Sequence, residues 1–530
     1  MQERANLVIR GGTVVDGTGG DPFEADIAIA RIGAIGRNLP AGDDEIDARG
    51  KLAVPGFVDV HTHYDAQVTW GERLTPSSWN GVTTALLGNC GVGFAPCRPE
   101  RREMLVKLME GVEDIPEVVL TEGLPWNWES FPEFLDAIGS RRFDIDIATQ
   151  VPHAALRVHV MGERGAAREP ATELDRGEMA RLAAEGIRAG ALGFSTSRTL
   201  NHRTLDGRPT PTLDAAEAEL AAIAGALGGE DVGWLQVVSD FDEPDEEFAL
   251  LRRLVERSGR PMSITLLQTE ADPARWRILL DRIGEANRDG LRITGQVRSR
   301  PTSVLLGFEL SRNPFMDRPS YARVADLPFA ERLAALAARD GRTPEEVAYD
   351  LLLQDGGRGL LYLPTTNYAG GNLDVVHEMI ADPNTLLGLG DGGAHVGIMC
   401  DATATSYTLT HWTRDRRGGL FPLPWAIKRL TSDNAAAIGL DDRGTLRIGA
   451  RADINVIDYD RLRLRPPAVA YDLPAGGKRL VQRTDGFVAT IVSGETVYRG
   501  GEATGALPGR LLRGPQPAPG RRQRGRGPGR

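Results

Sequence analysis

Over the first fifty residues apolar and polar side chains alternate in short steps, as in NLVIRGGTVVDG, ADIAIARIGAIG and EIDARGKLAVPG, with glycines and aspartates between the runs. A period of two marks half-buried strands joined by tight turns. The same texture returns far along the chain in GTLRIGARADINVIDYD and FVATIVSGETVYRGG. The two ends are therefore expected to pair into one small β-sandwich domain, residues 1–57 with 435–500. Between them, over 58–434, the pattern changes to short apolar runs: FVDVHTH, VTTALLG, IDIATQV, ALGFSTS, VGWLQVV, PMSITLL, RITGQV and LLGLGDGG. Stretches such as GEMARLAAEGIRAG and FAERLAALAARDGRTPEEVAYDLLLQ separate them, with apolar positions recurring at helical spacing. Strand and helix alternate eight times, which predicts an α/β fold whose parallel strands close into a (β/α)8 TIM-like barrel. In such barrels the reacting groups sit at the C-terminal ends of the strands. From 501 to 530 the chain turns to Gly, Pro, Arg and Ala, too poor in bulky apolar residues to offset ordering entropy, and a disordered tail is expected.

Composition changes this picture little. An apolar fraction of 41% and a charged fraction of 25% are ordinary globular usage. The net charge of -11 conceals a basic tail: residues 510–530 hold seven arginines and no acid, leaving the rest at -18. An acidic body does not neutralise phosphates, so no nucleic-acid partner is expected. The opening MQERANLVIR lacks the apolar core of a secretory signal, and no run approaches the roughly 20 apolar residues of a membrane span. Three cysteines, Cys90, Cys97 and Cys400, are too few for a disulfide framework and fit a reducing compartment. A soluble cytoplasmic protein without a membrane partner is the expectation; self-association into a homo-oligomer is left open.

Three segments carry chemistry. In PGFVDVHTHYD an apolar strand ends in two histidines one residue apart, and strand alternation turns His61 and His63 to the same side, into the barrel. Two imidazoles at a barrel mouth are poor packing groups and good ligands for a borderline metal. In LGLGDGGAHVG an apolar run ends in Asp391, a carboxylate placed to bind a metal and to take a proton from its water. In GVTTALLGNCGVGFAP, Cys90 closes a strand inside a glycine-rich loop. As a thiolate it would complete a zinc-like site or bridge two metals; as a thiol it would be a small buried hydrophobe. Weaker candidates surround them. Arg198 and His202 lie in the polar loop GFSTSRTLNHRTLDGRPTPT, where an arginine would suit a substrate carboxylate. His153 follows a strand, and Gln236 and His395 complete the set of substrate contacts.

PGFVDVHTHYD, GVTTALLGNCGVGFAP, GDGGAH and SDNAAAIGLDDRGTLRIGARADINVID together resemble the N-acyl-D-amino-acid deacylase (D-aminoacylase) branch of the amidohydrolase superfamily, over about residues 5–500. The resemblance implies a metal-dependent hydrolase of an amide C–N bond, with His61, His63 and Asp391 as metal ligands and Cys90 as the cysteine characteristic of the branch. It also implies a small-molecule amide substrate: an N-acylated amino acid, of D configuration or not, or a peptide-like or cyclic amide. Lys51, Lys107, Lys428 and Lys478 are the only lysines and none falls on a mid-barrel strand, which disfavours a carboxylated-lysine bridge. The chain departs from the branch where two middle strands usually supply histidines: GWLQVVSDFD and PMSITLLQTE offer Gln236, Leu266 and Gln268. One tightly bound divalent ion, Zn2+ by preference, is therefore expected. The alternatives are another amidohydrolase chemistry (cyclic-imide hydrolase, deaminase or decarboxylase) and a metal-depleted, non-catalytic binding protein.

Overall fold

A computed structural model of the chain describes residues 5–520, apart from residues 30–31, 231, 308 and 315–340. The eight apolar runs are eight strands: β1 (Phe57–Asp59), β2 (Val82–Leu87), β3 (Asp146–Pro152), β4 (Gly193–Arg198), β5 (Trp234–Ser239), β6 (Met262–Thr265), β7 (Ile293–Val297) and β8 (Thr385–Leu387). They lie in sequence order in one parallel sheet with β1 and β8 at its two ends. The ends are joined beyond the ladder. Asp391 N–H donates to His61 O (3.0 Å) and His63 N–H to Gly392 O (2.8 Å), while Asn434 Nδ2 bridges Val58 O and Leu387 O at 2.8 and 2.6 Å. The result is the expected TIM-like barrel.

The crossover helices keep their apolar stripe inward. In Glu173–Ala189 the buried residues Met179, Leu182, Ala183, Gly186 and Ile187 recur every three or four positions, and a Thr172–Asp175 capping box starts the helix. Between β7 and β8 the chain leaves the barrel to form the hairpin Thr302–Leu306 with Leu361–Thr366, carrying the helix Pro344–Gly357. Of the helical pattern expected over 329–354, the part before residue 341 lies outside the described residues. Among the described residues no helix is long and apolar enough to cross a membrane.

The two ends of the chain share one nine-stranded sheet. Leu52–Pro55 pairs antiparallel with Ile454–Ile457, and around this join Leu7–Val14, Phe23–Ile29 and Phe487–Val492 pack Ile9, Ile27, Ile29, Ile454, Val456 and Ile491 into a core of their own. The expectation of disorder from residue 501 is corrected as far as residue 520. Gly509 exchanges both backbone hydrogen bonds with Phe143 (3.0 and 2.8 Å), Ile147 N–H donates to Arg510 O (3.0 Å), and Leu512 N–H donates to Ile147 O (2.7 Å). The composition argument counted apolar side chains and so overlooked that backbone groups at the barrel's base need partners. Gly509 makes the approach feasible, since a Cβ there would stand 2.2 Å from Ile145 O. Beneath the strap Asp146 accepts from Arg443 Nη1 (2.8 Å), Arg451 Nη2 (2.9 Å) and Arg510 N (3.0 Å), tying barrel, terminal sheet and tail together.

Ending the chain at residue 504 should therefore lower the free energy of unfolding by about 3–5 kcal/mol, from several lost hydrogen bonds and the buried Leu512. Ending it at residue 520 should leave the thermal transition in place. Equal transitions for the two truncations would contradict the strap.

Candidate metal centre

His61 and His63 follow β1, Cys90 follows β2 and Asp391 follows β8, so all four stand at the C-terminal mouth of the barrel. The seam between the two end strands decides their mutual position. With Asp391 N–H on His61 O and His63 N–H on Gly392 O, the carboxylate is set opposite the first imidazole: His61 Nε2 is 3.7 Å from Asp391 Oδ1. Close approach here depends on Gly390, whose Cβ would collide with Asp59 Oδ2 at 1.9 Å. Cys90 adopts a left-handed backbone (φ 55°), unusual for a side chain with a Cβ, and is held there by its N–H donating to Gln236 Oε1 at 2.7 Å. Its Sγ lies 3.2 Å from His61 Nε2. One ligand atom each of His61, His63 and Cys90 falls within 4.8 Å of the others, the one such group among the described residues.

The surrounding groups orient these side chains. Gln296, on β7, places its Oε1 2.6 Å from His61 Nδ1 while its Nε2 donates to Ser263 Oγ at 2.9 Å. That arrangement puts the imidazole proton on Nδ1 and leaves Nε2 free toward Cys90 and Asp391. Glu113, at the end of the helix Arg102–Glu113, stands with Oε1 3.1 Å from His63 Nδ1. Arg298, just past β7, is 3% exposed; one Nη contacts Asp391 Oδ2 and the other contacts Asp401 Oδ2. Asp391 Oδ1 keeps no hydrogen-bond partner although it is buried.

Electrostatics follow from burial and these contacts. Burial pushes the Asp391 carboxyl up, but Arg298 and the neighbouring imidazoles outweigh it and hold the group well below the usual carboxylate range. Burial, aided by the charge of Asp391, drives Asp59 up to about 7 against a hydrogen bond from His61 N–H. Burial also brings His61 down to about 4, so its ring is a neutral donor of a lone pair. His63 goes the other way: burial disfavours its charge, yet Glu113 and Cys90 raise it well above the ordinary value. The Cys90 thiol is pushed up by burial, more than His63 offsets. A thiolate at this depth needs a cation beside it.

The weaker sequence candidates divide. Gln236 does reach the site, crossing from β5 to the Cys90 loop after β2; its Nε2 is buried without an acceptor. Leu266 is fully buried and Gln268 is tied to Asn367 and Ala369, so β6 sends no ligand inward. His153 is corrected: it opens the helix His153–Met161, and its ring is taken up by Thr196 Oγ1 (2.9 Å) and by Glu219 Oε1 (2.7 Å), a carboxylate shared with Arg157. Arg198 is corrected as a substrate contact as well, because Glu247 and Ala215 O occupy its guanidinium. His202 places Nδ1 2.8 Å from Ser197 Oγ, and neither it nor His395 joins the grouped ligand atoms of His61, His63 and Cys90. Sequence reasoning missed Gln296, Arg298, Asp401 and Glu113. Gln296 and Arg298 alternate at the end of β7 as His61 and His63 do after β1, a signal that was available; Glu113 and Asp401 had none.

Arg298→Met would leave Asp391 and Asp401 as buried carboxylates without their shared cation. The metal-free protein should lose about 3–5 kcal/mol of unfolding free energy, the cost of breaking a buried pair. A loss under about 1 kcal/mol, typical of an exposed pair, would refute this account of Arg298.

A family model described as "Amidohydrolase family" matches residues 44–350 and 311–498. The chain is similar to an N-acyl-D-aspartate deacylase of Alcaligenes xylosoxydans xylosoxydans, 30% identical over 523 residues covering 96% of this chain and 95% of that one. A D-aminoacylase of the same organism is 27% identical over 532 residues, 96% of this chain and 97% of its own. In three dimensions the fold matches an N-acyl-D-glutamate deacylase from Bordetella bronchiseptica, solved with zinc and a phosphonate mimic of the tetrahedral intermediate. That match has a TM-score of 0.70 at 24% identity, over 96% of this chain and 100% of that one.

Proposed function

We propose that this chain, which belongs to the amidohydrolase family and within it to the D-aminoacylase branch, hydrolyses the amide bond of N-acylated amino acids with a divalent metal held by His61, His63, Cys90 and Asp391. As a member of that family it is a hydrolase of C–N bonds other than peptide bonds. The observation that carries the reading is the meeting of two imidazoles, a thiol and an unpartnered buried carboxylate oxygen at one barrel mouth. That donor set fits a borderline ion of zinc's kind. The relatives support both halves: one is named a D-aminoacylase and one an N-acyl-D-aspartate deacylase, and the Bordetella bronchiseptica neighbour carries zinc.

Bound there, a divalent metal supplies an acidified water and a Lewis acid for the amide carbonyl. The chain's own groups do the rest. Arg298 occupies Asp391 Oδ2, which leaves Oδ1 to accept a proton from the attacking water and to deliver it to the leaving nitrogen. Gln296 fixes the His61 tautomer, and Glu113 stands against His63. We read one tightly held ion here, because β5 and β6 offer Gln236 and Leu266, an amide and an alkyl group that do not replace imidazoles for such a metal. The absence of those imidazoles is also what a non-catalytic binding protein would show, but the converged trio and Asp391 favour the enzyme.

His61→Ala combined with His63→Ala should abolish both bound zinc and hydrolysis across a panel of N-acyl-D- and N-acyl-L-amino acids. Gln296→Leu should weaken zinc affinity about 10–100-fold, as loss of a group orienting a metal-bound histidine does. Stoichiometric zinc in the double variant, measured by elemental analysis, would overturn the assignment.

A further inference from the structure

Gln236 is fully buried on β5, and its side chain faces the lumen, because its neighbours Leu235 and Val237 join the outer apolar cluster with Ile223 and Leu251 of the helices Glu217–Gly228 and Pro244–Ser258. Cys90 settles which end of the carboxamide is which. A backbone N–H only donates, so the atom 2.7 Å from Cys90 N is the oxygen, and the NH2 group is turned away from that contact. The NH2 nitrogen is buried and has no acceptor among the described residues. A buried donor left unpaired costs about 1–3 kcal/mol, so one that is kept points to a functional partner. The wall beside it repeats the pattern. Ser263, paired with Gln236 across β5 and β6, receives the Gln296 Nε2 hydrogen bond at 2.9 Å and so faces the lumen. Thr265, two residues on, shares that face, and its buried Oγ1 has no partner among the described residues either.

We propose that Gln236 Nε2 donates to the carbonyl oxygen of the scissile amide, and most strongly when that oxygen carries the charge of the tetrahedral intermediate. This role presupposes the amide hydrolysis proposed for the trio and Asp391. Two contacts put the carboxamide beside the reacting atoms: its Oε1 accepts from Cys90 N, and Cys90 Sγ stands 3.2 Å from His61 Nε2. As the water oxygen bonds to the carbonyl carbon, the C=O electron pair moves onto the carbonyl oxygen, and a donor already fixed in place stabilises that charge without reorganising. On collapse the pair returns, the C–N bond breaks, and the nitrogen takes the proton that Asp391 Oδ1 removed from the water. Gln236 keeps both its protons throughout.

Two variants of the full-length, zinc-loaded protein separate this role from mere support of the Cys90 loop. Gln236→Glu keeps an oxygen for Cys90 N–H and loses the NH2 group; Gln236→Met loses both. On the N-acyl-amino acid that the wild type hydrolyses fastest, each should lower kcat about 100–1,000-fold, the cost of one lost oxyanion donor, with KM nearly unchanged. Zinc content by elemental analysis should stay at that of the wild type. Calorimetric affinity for phosphonate analogues of the same panel of N-acyl-amino acids, which mimic the tetrahedral intermediate, should fall by a similar factor. Wild-type kcat in Gln236→Glu would overturn the proposal and leave Gln236 a structural residue. A raised KM at unchanged kcat would overturn it as well, by placing Nε2 on the substrate carboxylate. If the wild type hydrolyses none of the panel, the amide-hydrolysis reading fails; phosphonate binding that still requires Gln236 then upholds the donor alone, and binding that is absent or indifferent to Gln236 overturns both.

Discussion

Two backbone hydrogen bonds across the seam of the barrel, Asp391 N–H to His61 O and His63 N–H to Gly392 O, set where the carboxylate of the site meets its imidazoles. They join the first strand to the last and set the register in which a carboxylate from one end of the barrel meets an imidazole from the other. In extended chain a slip of one residue turns each side chain to the opposite face. His61 and His63 would then leave the lumen and Thr62 would enter it. Asn434, bridging Val58 O and Leu387 O, and Gly390, yielding room to Asp59, are fitted to the same seam.

The barrel's charge balance follows from that closure. Asp391 enters a region where an isolated carboxylate is costly, and Arg298 neutralises the oxygen turned away from the trio while being anchored itself by Asp401. What remains facing the trio is one oxygen, one thiol and two rings. Burial has made His61 a neutral ligand and raised the thiol of Cys90, and the charge that His63 gains is matched by Glu113 at 3.1 Å, so ionising the thiol adds a negative charge with no cation of its own. A divalent ion meets that need, which is why the donor set reads as a metal centre more naturally than as a proton-transfer triad.

Much of this was legible before the structure, and the limits have physical causes. Periodicity alone gave eight alternating runs, and each became a barrel strand, because buried parallel strands must be continuous apolar stretches. Strand alternation placed His61 and His63 together. The same argument applied to GQVRSR would have found Gln296 and Arg298, whose side chains reach across the lumen. His153 and Arg198 show where such reasoning fails: one follows a barrel strand and the other ends one, yet Glu219 and Glu247, far along the chain, take up their side chains. No local pattern announces a partner supplied by a later helix. Glu113 was invisible for a similar reason, and the tail was misread because backbone pairing with the barrel base leaves no mark in apolar content.

The central claim is that a metal sits among imidazole, carboxylate and the Cys90 thiolate. X-ray absorption at the zinc edge on protein loaded with one equivalent tests it most directly. The account predicts a single sulfur scatterer at about 2.3 Å together with nitrogen and oxygen ligands near 2.0–2.1 Å. A first shell of nitrogen and oxygen alone, with no sulfur, would contradict it.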